Sequence, residues 1–494
     1  MAIKVLFVAT EATPFIKTGG LADVMGALPK ELQKQGIEAA LVLPKYPSVA
    51  EAYGKELKTV YTGRMNLAWR NQYIGVESLL KNGMPVYFID NEYYFKRSGL
   101  YGYGDDAERF AYFSKAVLSM LPAIPFKPDI IHTNDWHTGP VGAYLKEEFM
   151  QDPYYRGMKN IYTIHNLKYQ GIFGKEIVED VLGLSMRLFY NGNLANDGNV
   201  NFMKAGMCYA DYITTVSPTY AEEIRYAYFG EGLQDYVALC SDKLSGILNG
   251  LDKAVYNPST DSFIKSKFTV KSVFTRKPQN KEALQKELGL PVKRDLPLVA
   301  MITRLVEAKG LDLVLRIMDE LLQEEIQLVV IGTGDESYVK ALQALARRNP
   351  DRVSVNILFD EALARRVYAG ADLFLMPSRY EACGLSQMIA MRYGTIPVVR
   401  ETGGLKDSVA NFEKCTNQSG NGLSFFNFNA HELLFAVKRG LSYYADKPVW
   451  NKLVANAMYS DNGWEKSAQA YVSLYKKVLQ GSRYSAGFKK QSGE

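Results

Sequence analysis

The chain has 494 residues, of which 47% are hydrophobic and 22% charged, and its formal net charge is +5. That length exceeds one typical core, so at least two domains are expected. The small charge gives no nucleic-acid stripe, and no apolar run approaches the roughly 18 residues of a membrane span, so neither nucleic acid nor membrane is expected as a partner.

Cys208, Cys240, Cys383 and Cys415 form no C-x-x-C pair. This spacing argues against structural zinc, predicts no bound metal and suits a reducing compartment. Met-Ala-Ile-Lys leads directly into a strand-like run with no charged-then-apolar leader, so a cytoplasmic location is expected. Aromatic residues make up 12% of the chain, 33 of them Tyr. Most serve packing, but tyrosine also stacks on sugar faces and hydrogen-bonds their hydroxyls, so a carbohydrate partner fits.

In chain order, β-branched runs mark strands at 3–9, 39–43, 85–89, 129–132, 160–164 and 212–216, with helical runs such as 106–121, 138–150 and 218–226 between them. In the second half, strands are expected at 297–302, 326–331, 353–357, 372–376, 395–399 and 422–425. Helical runs 310–323, 335–348, 361–369 and 383–393 separate them, and a last helix is expected over 464–479. Such alternation predicts an α/β protein of two Rossmann-like, doubly wound parallel-sheet domains with ligands at the strands' carboxyl ends. The polar, less periodic stretch 253–296 reads as the connection, giving domains over 1–252 and 253–463. The tail from Gln480, 481–494 above all, reads as frayed.

Unusual residues collect past the strand ends. Lys17-Thr18-Gly19-Gly20-Leu21-Ala22-Asp23 follows the first strand and opens a helix. Such a turn suits an anion: glycines admit close backbone approach, a helix N-terminus offers N–H groups and lysine adds charge. His132 to Thr138, including Asp135, follows the fourth strand; His165-Asn166 follows the fifth. Three of the four histidines therefore lie near two strand ends. In the second half, Arg304 and Lys309-Gly310 follow one strand, a pair suited to a diphosphate. Gly332-Thr333-Gly334 starts a G-x-G-x-x-G fingerprint but has Ser337 in place of the third glycine, so the dinucleotide reading fails. Pro377 to Gln387 is the densest stretch, with Glu381 expected at a helix start and ionised there. Glu401-Thr402-Gly403-Gly404-Leu405 adds a second Gly-Gly turn. No D-x-D triplet occurs, so protein cations and helix N-termini are expected to neutralise a leaving diphosphate.

These motifs, in this order and spacing, resemble those of bacterial glycogen synthases and plant starch synthases over residues 3–480. Ile247-Leu248-Asn249-Gly250 belongs to the same likeness. The resemblance implies a GT-B fold, with the donor in the cleft between two Rossmann-like domains and a C-terminal helix, about 464–480, joining the first. It implies transfer of glucose from ADP-glucose to an α-1,4-glucan with retention, and no cofactor. By the same resemblance, Lys17, Gly19 and Gly20 serve the donor diphosphate, and Arg304 and Lys309 neutralise it. His165, Asp135 and Asn166 serve the sugar, and Glu381 stands beside the glucose, flanked by Cys383 and the N–H groups of Gly384 and Leu385. Thr402 and Gly403 complete the donor site.

Five positions depart from the family pattern. Ala308 stands for the usual Gln, Ala382 for Pro, Tyr256 for Trp, and Leu358-Phe359 for Gly-Tyr. Phe359 keeps a face for stacking on the base and loses a hydroxyl, so base preference, ADP against UDP, stays open. A same-fold transferase with another donor or acceptor, and a silent glucan-binding protein, are the alternatives. The intact charged positions weigh against the silent reading.

Overall fold

The computed structural model describes residues 2–488, with side chains to residue 481. It divides into two compact units. One runs to Gly250 and includes the helix Trp464–Phe488; the other is Leu251–Gly463.

The strands of the first unit are β1 (Lys4–Val8), β2 (Glu38–Pro44), β3 (Lys58–Leu67), β4 (Arg70–Lys81), β5 (Met84–Asp90), β6 (Ile130–Asn134), β7 (Lys159–Ile164), β8 (Ile172–Phe173), β9 (Ala195–Asn196), β10 (Asn199–Asn201), β11 (Tyr212–Thr215) and β12 (Leu244–Gly246). Nine of them form one sheet in the order β12-β11-β7-β6-β1-β2-β5-β4-β3. The sheet is parallel from β12 to β5, and β4 and β3 add an antiparallel edge. β8, β9 and β10 form a small sheet of their own. Val5, Phe7, Ile130 and Ile161 are fully buried, as strands covered on both faces require.

The helix Gly20–Lys34 covers one face, and the C-terminal helix packs beside it. Trp464, Tyr471 and Tyr475 of that helix enter the same core. Gln35 Nε2 donates to the Glu465 carbonyl at 3.0 Å, tying the ends of the two helices.

The second unit holds β13 (Leu298–Ile302), β14 (Gln327–Ile331), β15 (Val353–Asn356), β16 (Leu373–Met376), β17 (Ile396–Arg400) and β18 (Leu423–Phe425). All are parallel, in the order β15-β14-β13-β16-β17-β18. This is the 3-2-1-4-5-6 order of dinucleotide-type folds. The first unit repeats it with β5-β2-β1-β6-β7-β11. The direction of winding reverses between β1 and β6, and between β13 and β16. At such reversals the flanking loops diverge and leave room for a ligand.

Four expectations need correction. The hairpin β3–β4 was not anticipated. The stretch 253–296 is no plain connection: Val273–Glu287 is a helix whose Lys277 is buried against the carbonyls of Tyr368, Ala369 and Tyr393. The helix expected over 383–393 begins only at Ser386, so Glu381 lies in the preceding loop and not at a helix N-terminus. The last helix does not stop at Leu479 but continues to Phe488, and the remaining tail lies outside the described residues. No helix among the described residues is long and apolar enough to cross a membrane.

Candidate active site

In the first unit, the loop after β1 carries Lys17, Gly19 and Gly20. Lys17 Nζ pairs with Asp23 Oδ1 at 2.7 Å, which holds the ammonium over the first turn of the helix. The buried Glu11 organises the turn. Its carboxylate accepts from Thr18 N (2.5 Å), Thr18 Oγ1 (2.7 Å), Gly19 N (3.1 Å) and the Tyr101 hydroxyl (2.7 Å). The Thr18 and Gly19 N–H groups are thus directed inward at Glu11. A Cβ built on Gly19 or Gly20 would meet no atom within 4 Å. Gly19 is the extended N-cap of the helix. Neither internal packing nor left-handed backbone therefore demands glycine at these two positions.

The loops after β6 and β7 meet through Asp135. Its backbone lies at φ 58°, a region that costs a non-glycine residue about 1–3 kcal/mol. Its carboxyl accepts from the backbone N–H groups of His165, at 2.8 Å, and Asn166. Burial pushes this carboxyl up to about 7, against the pull of those two donors. Asn134 Nδ2 donates to the carbonyls of Val8 and His132, both at 3.1 Å, so its Oδ1 must face His165. His165 Nε2 lies 2.9 Å from that oxygen and must donate to it, leaving Nδ1 as an acceptor. Burial lowers the imidazole to about 3, so the ring is neutral at physiological pH.

The other two histidines of the strand-end group are structural. His132 lies inside β6, fully buried, with Nδ1 2.9 Å from the Tyr475 hydroxyl and Nε2 2.6 Å from Thr163 Oγ1. His137 is buried in a nest of Tyr101, Phe110 and Trp136 rings.

In the second unit, Arg304 and Lys309 follow β13, and Glu381 follows β16. Arg304 is exposed. Lys309 Nζ pairs with Glu381 Oε2 at 2.6 Å, and Ser378 Oγ donates to the same oxygen at 3.0 Å. Backbone contacts fix this pair. Arg379 N donates to Ala308 O at 2.9 Å. Gly310, at φ 73°, lies where a Cβ would come within 2.0 Å of the Pro377 carbonyl oxygen.

The second Gly-Gly turn has a packing cause. A Cβ on Gly403 would meet the Glu381 carbonyl oxygen at 1.9 Å, and one on Gly404 the Cys383 carbonyl oxygen at 2.2 Å. Gly384 takes φ 71° beside the buried Cys383, and Leu385 is the N-cap of the helix Ser386–Arg392. Thr402 is buried as the N-cap of Gly403–Ser408. Phe359 is 79% exposed, so its ring face is open. Gly332 and Gly334 press against the Thr303 and Leu305 carbonyl oxygens, at 1.8 and 2.2 Å from an added Cβ. That half-fingerprint shapes the loop bearing Arg304.

The structure thus groups Lys17 with Asp23, Asp135 with His165 and Asn166, and Lys309 with Glu381, all past the carboxyl ends of the parallel strands β1, β6, β7, β13 and β16. The sequence motifs include Asn134 and Ser378 without assigning them a role, and Glu11 lies outside them. Each is a polar residue at or just past the end of a predicted strand, the signal that had singled out Asp135 and Glu381.

The architecture has solved counterparts. The catalytic domain of starch synthase IV from Arabidopsis thaliana, solved bound to ADP and acarbose, matches with a TM-score of 0.89 at 34% identity, over 97% of this chain and 100% of that one. A sucrose-phosphate synthase from Thermosynechococcus elongatus shares the fold at a TM-score of 0.59 and 18% identity. Residues 280–448 match the family model described as glycosyl transferases group 1. The chain is a glycosyltransferase of the GT-B fold.

Residues 4–238 match the model of the starch synthase catalytic domain. Glycogen synthases of Bacillus cereus (strain Q1) and Geobacillus thermodenitrificans are 49% and 50% identical, over 97% of this chain in each case and 100% and 98% of their own lengths. The chain belongs to the glycogen synthase and starch synthase family.

Proposed function

We propose that the chain lengthens an α-1,4-glucan at its non-reducing end, transferring glucose from ADP-glucose with retention of configuration. The observation that carries this reading is that charged groups follow the switch-point strands of both units: Lys17 and Asp135 after β1 and β6, Arg304 with Lys309 and Glu381 after β13 and β16. The names of the bacterial relatives support glycogen as product, and ADP in the Arabidopsis neighbour supports the donor base. A cytoplasmic location fits four cysteines that form no disulfide.

In this proposal Arg304, Lys309, Lys17 and the N–H groups of the first helical turn from Gly20 onward stabilise the departing diphosphate, the Thr18 and Gly19 N–H groups being held by Glu11. Negative charge grows there as the glycosidic bond breaks, so fixed cations lower the barrier and do more than bind substrate. The anomeric carbon becomes cationic, and the Glu381 carboxylate, already fixed by Lys309 and Ser378, stabilises it. Asp135, Asn166 and the neutral His165 hold sugar hydroxyls. Cys383, Gly384, Leu385, Thr402 and Gly403 frame the donor, and Phe359 stacks on its base. The acceptor 4-hydroxyl attacks from the face the diphosphate leaves, and a phosphate oxygen takes its proton.

The test is transfer of labelled glucose into glycogen from ADP-glucose and from UDP-glucose in parallel. The proposal expects kcat/KM to favour ADP-glucose. Equal or greater transfer from UDP-glucose overturns the donor assignment, and no transfer from either overturns the activity. A glycosyl–Glu381 adduct in the mass of the intact protein would overturn same-face attack.

A further inference from the structure

The turn between β3 and β4 consists of Ala68, at φ 50°, and Trp69. Trp69 is 74% exposed, yet its ring is held on two sides. The indole N–H donates to Asp180 Oδ1 at 2.7 Å, and the Arg70 guanidinium lies over one face, 4.3 Å from the ring centroid. Arg70 is fixed in turn: it reaches Asp180 Oδ2 at 2.9 Å, the Asp180 carbonyl, and Glu108 Oε2 at 3.1 Å. The Tyr94 hydroxyl donates to Glu108 Oε1 at 2.6 Å. Gly183 presses on the turn, where a Cβ would meet Ala68 Cα at 2.9 Å.

A lone exposed aromatic residue needs no explanation. A tryptophan locked by a hydrogen bond, a stacked cation and that cation's own two carboxylates is different. It adds little to the core, since most of its surface stays in water. It offers instead a flat apolar face already ordered, so a ligand stacking there loses little conformational entropy. Polar groups ring the indole edge: Asp180 at the N–H and Arg70 beneath. A flat apolar face with hydrogen-bonding groups at its rim matches a pyranose, whose C–H face is apolar and whose equatorial hydroxyls radiate outward.

Location supports this reading. The last β4–β5 rung joins Gly75 to Asp90, the end of β5, so the turn projects past the carboxyl end of the parallel sheet. Lys17, Asp135 and His165 follow the carboxyl ends of β1, β6 and β7, at the same end. Three strand spacings, roughly 14 Å, separate β1 from β4.

We propose that Trp69 is a stacking platform for the glucan, gripping the chain several sugars away from the reacting end. The inference rests on the reading of the chain as a glucan synthase.

The test compares acceptors of two lengths, glycogen and maltotriose, in Trp69→Ala and Trp69→Phe, with ADP-glucose saturating. The proposal expects glycogen KM to rise about tenfold in Trp69→Ala, with most of the affinity kept in Trp69→Phe. Maltotriose kinetics, ADP-glucose KM and the melting temperature should stay at wild-type values. Retardation of the protein by glycogen in a native gel should weaken in Trp69→Ala, and in Asp180→Ala, which frees the ring. Wild-type glycogen KM and retardation in Trp69→Ala would overturn the proposal. An equal rise for maltotriose would also overturn it, by assigning Trp69 to the reacting end. If the wild type transfers to neither acceptor, the synthase reading fails, while retardation by glycogen still tests the platform.

Discussion

Lys309 and Glu381 are joined by a 2.6 Å ion pair between loops that follow neighbouring parallel strands, β13 and β16. The pair is mostly buried, with side chains 19% and 13% exposed, so water screens it little. The cation proposed for the diphosphate and the carboxylate proposed for the sugar therefore orient each other. Glu381→Gln and Lys309→Ala should each lower kcat by roughly 100-fold or more. The double variant should fall well short of the product of the two losses, because each single change already spoils the partner's position. Single-turnover rates of all four proteins check this.

Gly403 and Gly19 should respond differently to alanine. Gly403→Ala sets a Cβ 1.9 Å from the Glu381 carbonyl oxygen at a φ of 43°, so the Glu381 loop must move. Both kcat and melting temperature should drop. Gly19→Ala meets nothing in the protein, so the melting temperature should hold while KM for ADP-glucose rises at least about tenfold. Thermal melts beside donor titrations separate the two.

Asp135 should set the acid limb of the pH profile. Burial raises its carboxyl to about 7, while the His165 and Asn166 N–H groups favour the ionised form. If the carboxylate holds the sugar, kcat should rise with pH through about 7. Asp135→Asn should remove that limb and leave a low, flat rate. His165, lowered to about 3, should contribute no limb in this range.

Acid should unfold the first unit through its buried histidines. His132 is lowered to about 3 by burial, and His137 lies well below the usual value for the same cause. Between about 6.5 and 3 the unfolded chain takes up protons that the folded chain does not. Stability is therefore full above about 6.5 and declines as pH falls, by up to ~1.4 kcal/mol per pH unit for each group. Urea midpoints from pH 7 to 4 should fall steeply in the wild type and less steeply in His132→Gln, once compared at equal starting stability.

Much of this architecture is legible in the sequence because parallel strands buried on both faces read as short β-branched runs. β13, β14 and β16 all lie within a residue or so of their expected bounds. The edge hairpin escaped because β3, KTVYTGRMNL, is exposed or half-exposed over most of its length and lacks an apolar period. One readable signal was Asn82-Gly83 between β4 and β5, with both φ values positive. The helix Val273–Glu287 escaped for the opposite reason. Its lysines look like a solvated face, yet Lys277 and Lys281 are buried, Lys277 donating to three carbonyls and Thr395 Oγ1. At the site, the charged residues were readable from their place after strands. Glu11's grip on the Thr18 and Gly19 N–H groups was not, because it depends on how the loop closes back on itself.

The most direct test of the account is single-turnover transfer of labelled glucose from ADP-glucose to glycogen by the wild type, Lys17→Ala and Glu381→Gln, with saturating glycogen and saturating enzyme in excess over the donor. The account predicts rapid transfer by the wild type and a chemical step slowed roughly 100-fold or more in both variants, one from each unit. Wild-type rates in either variant would contradict it.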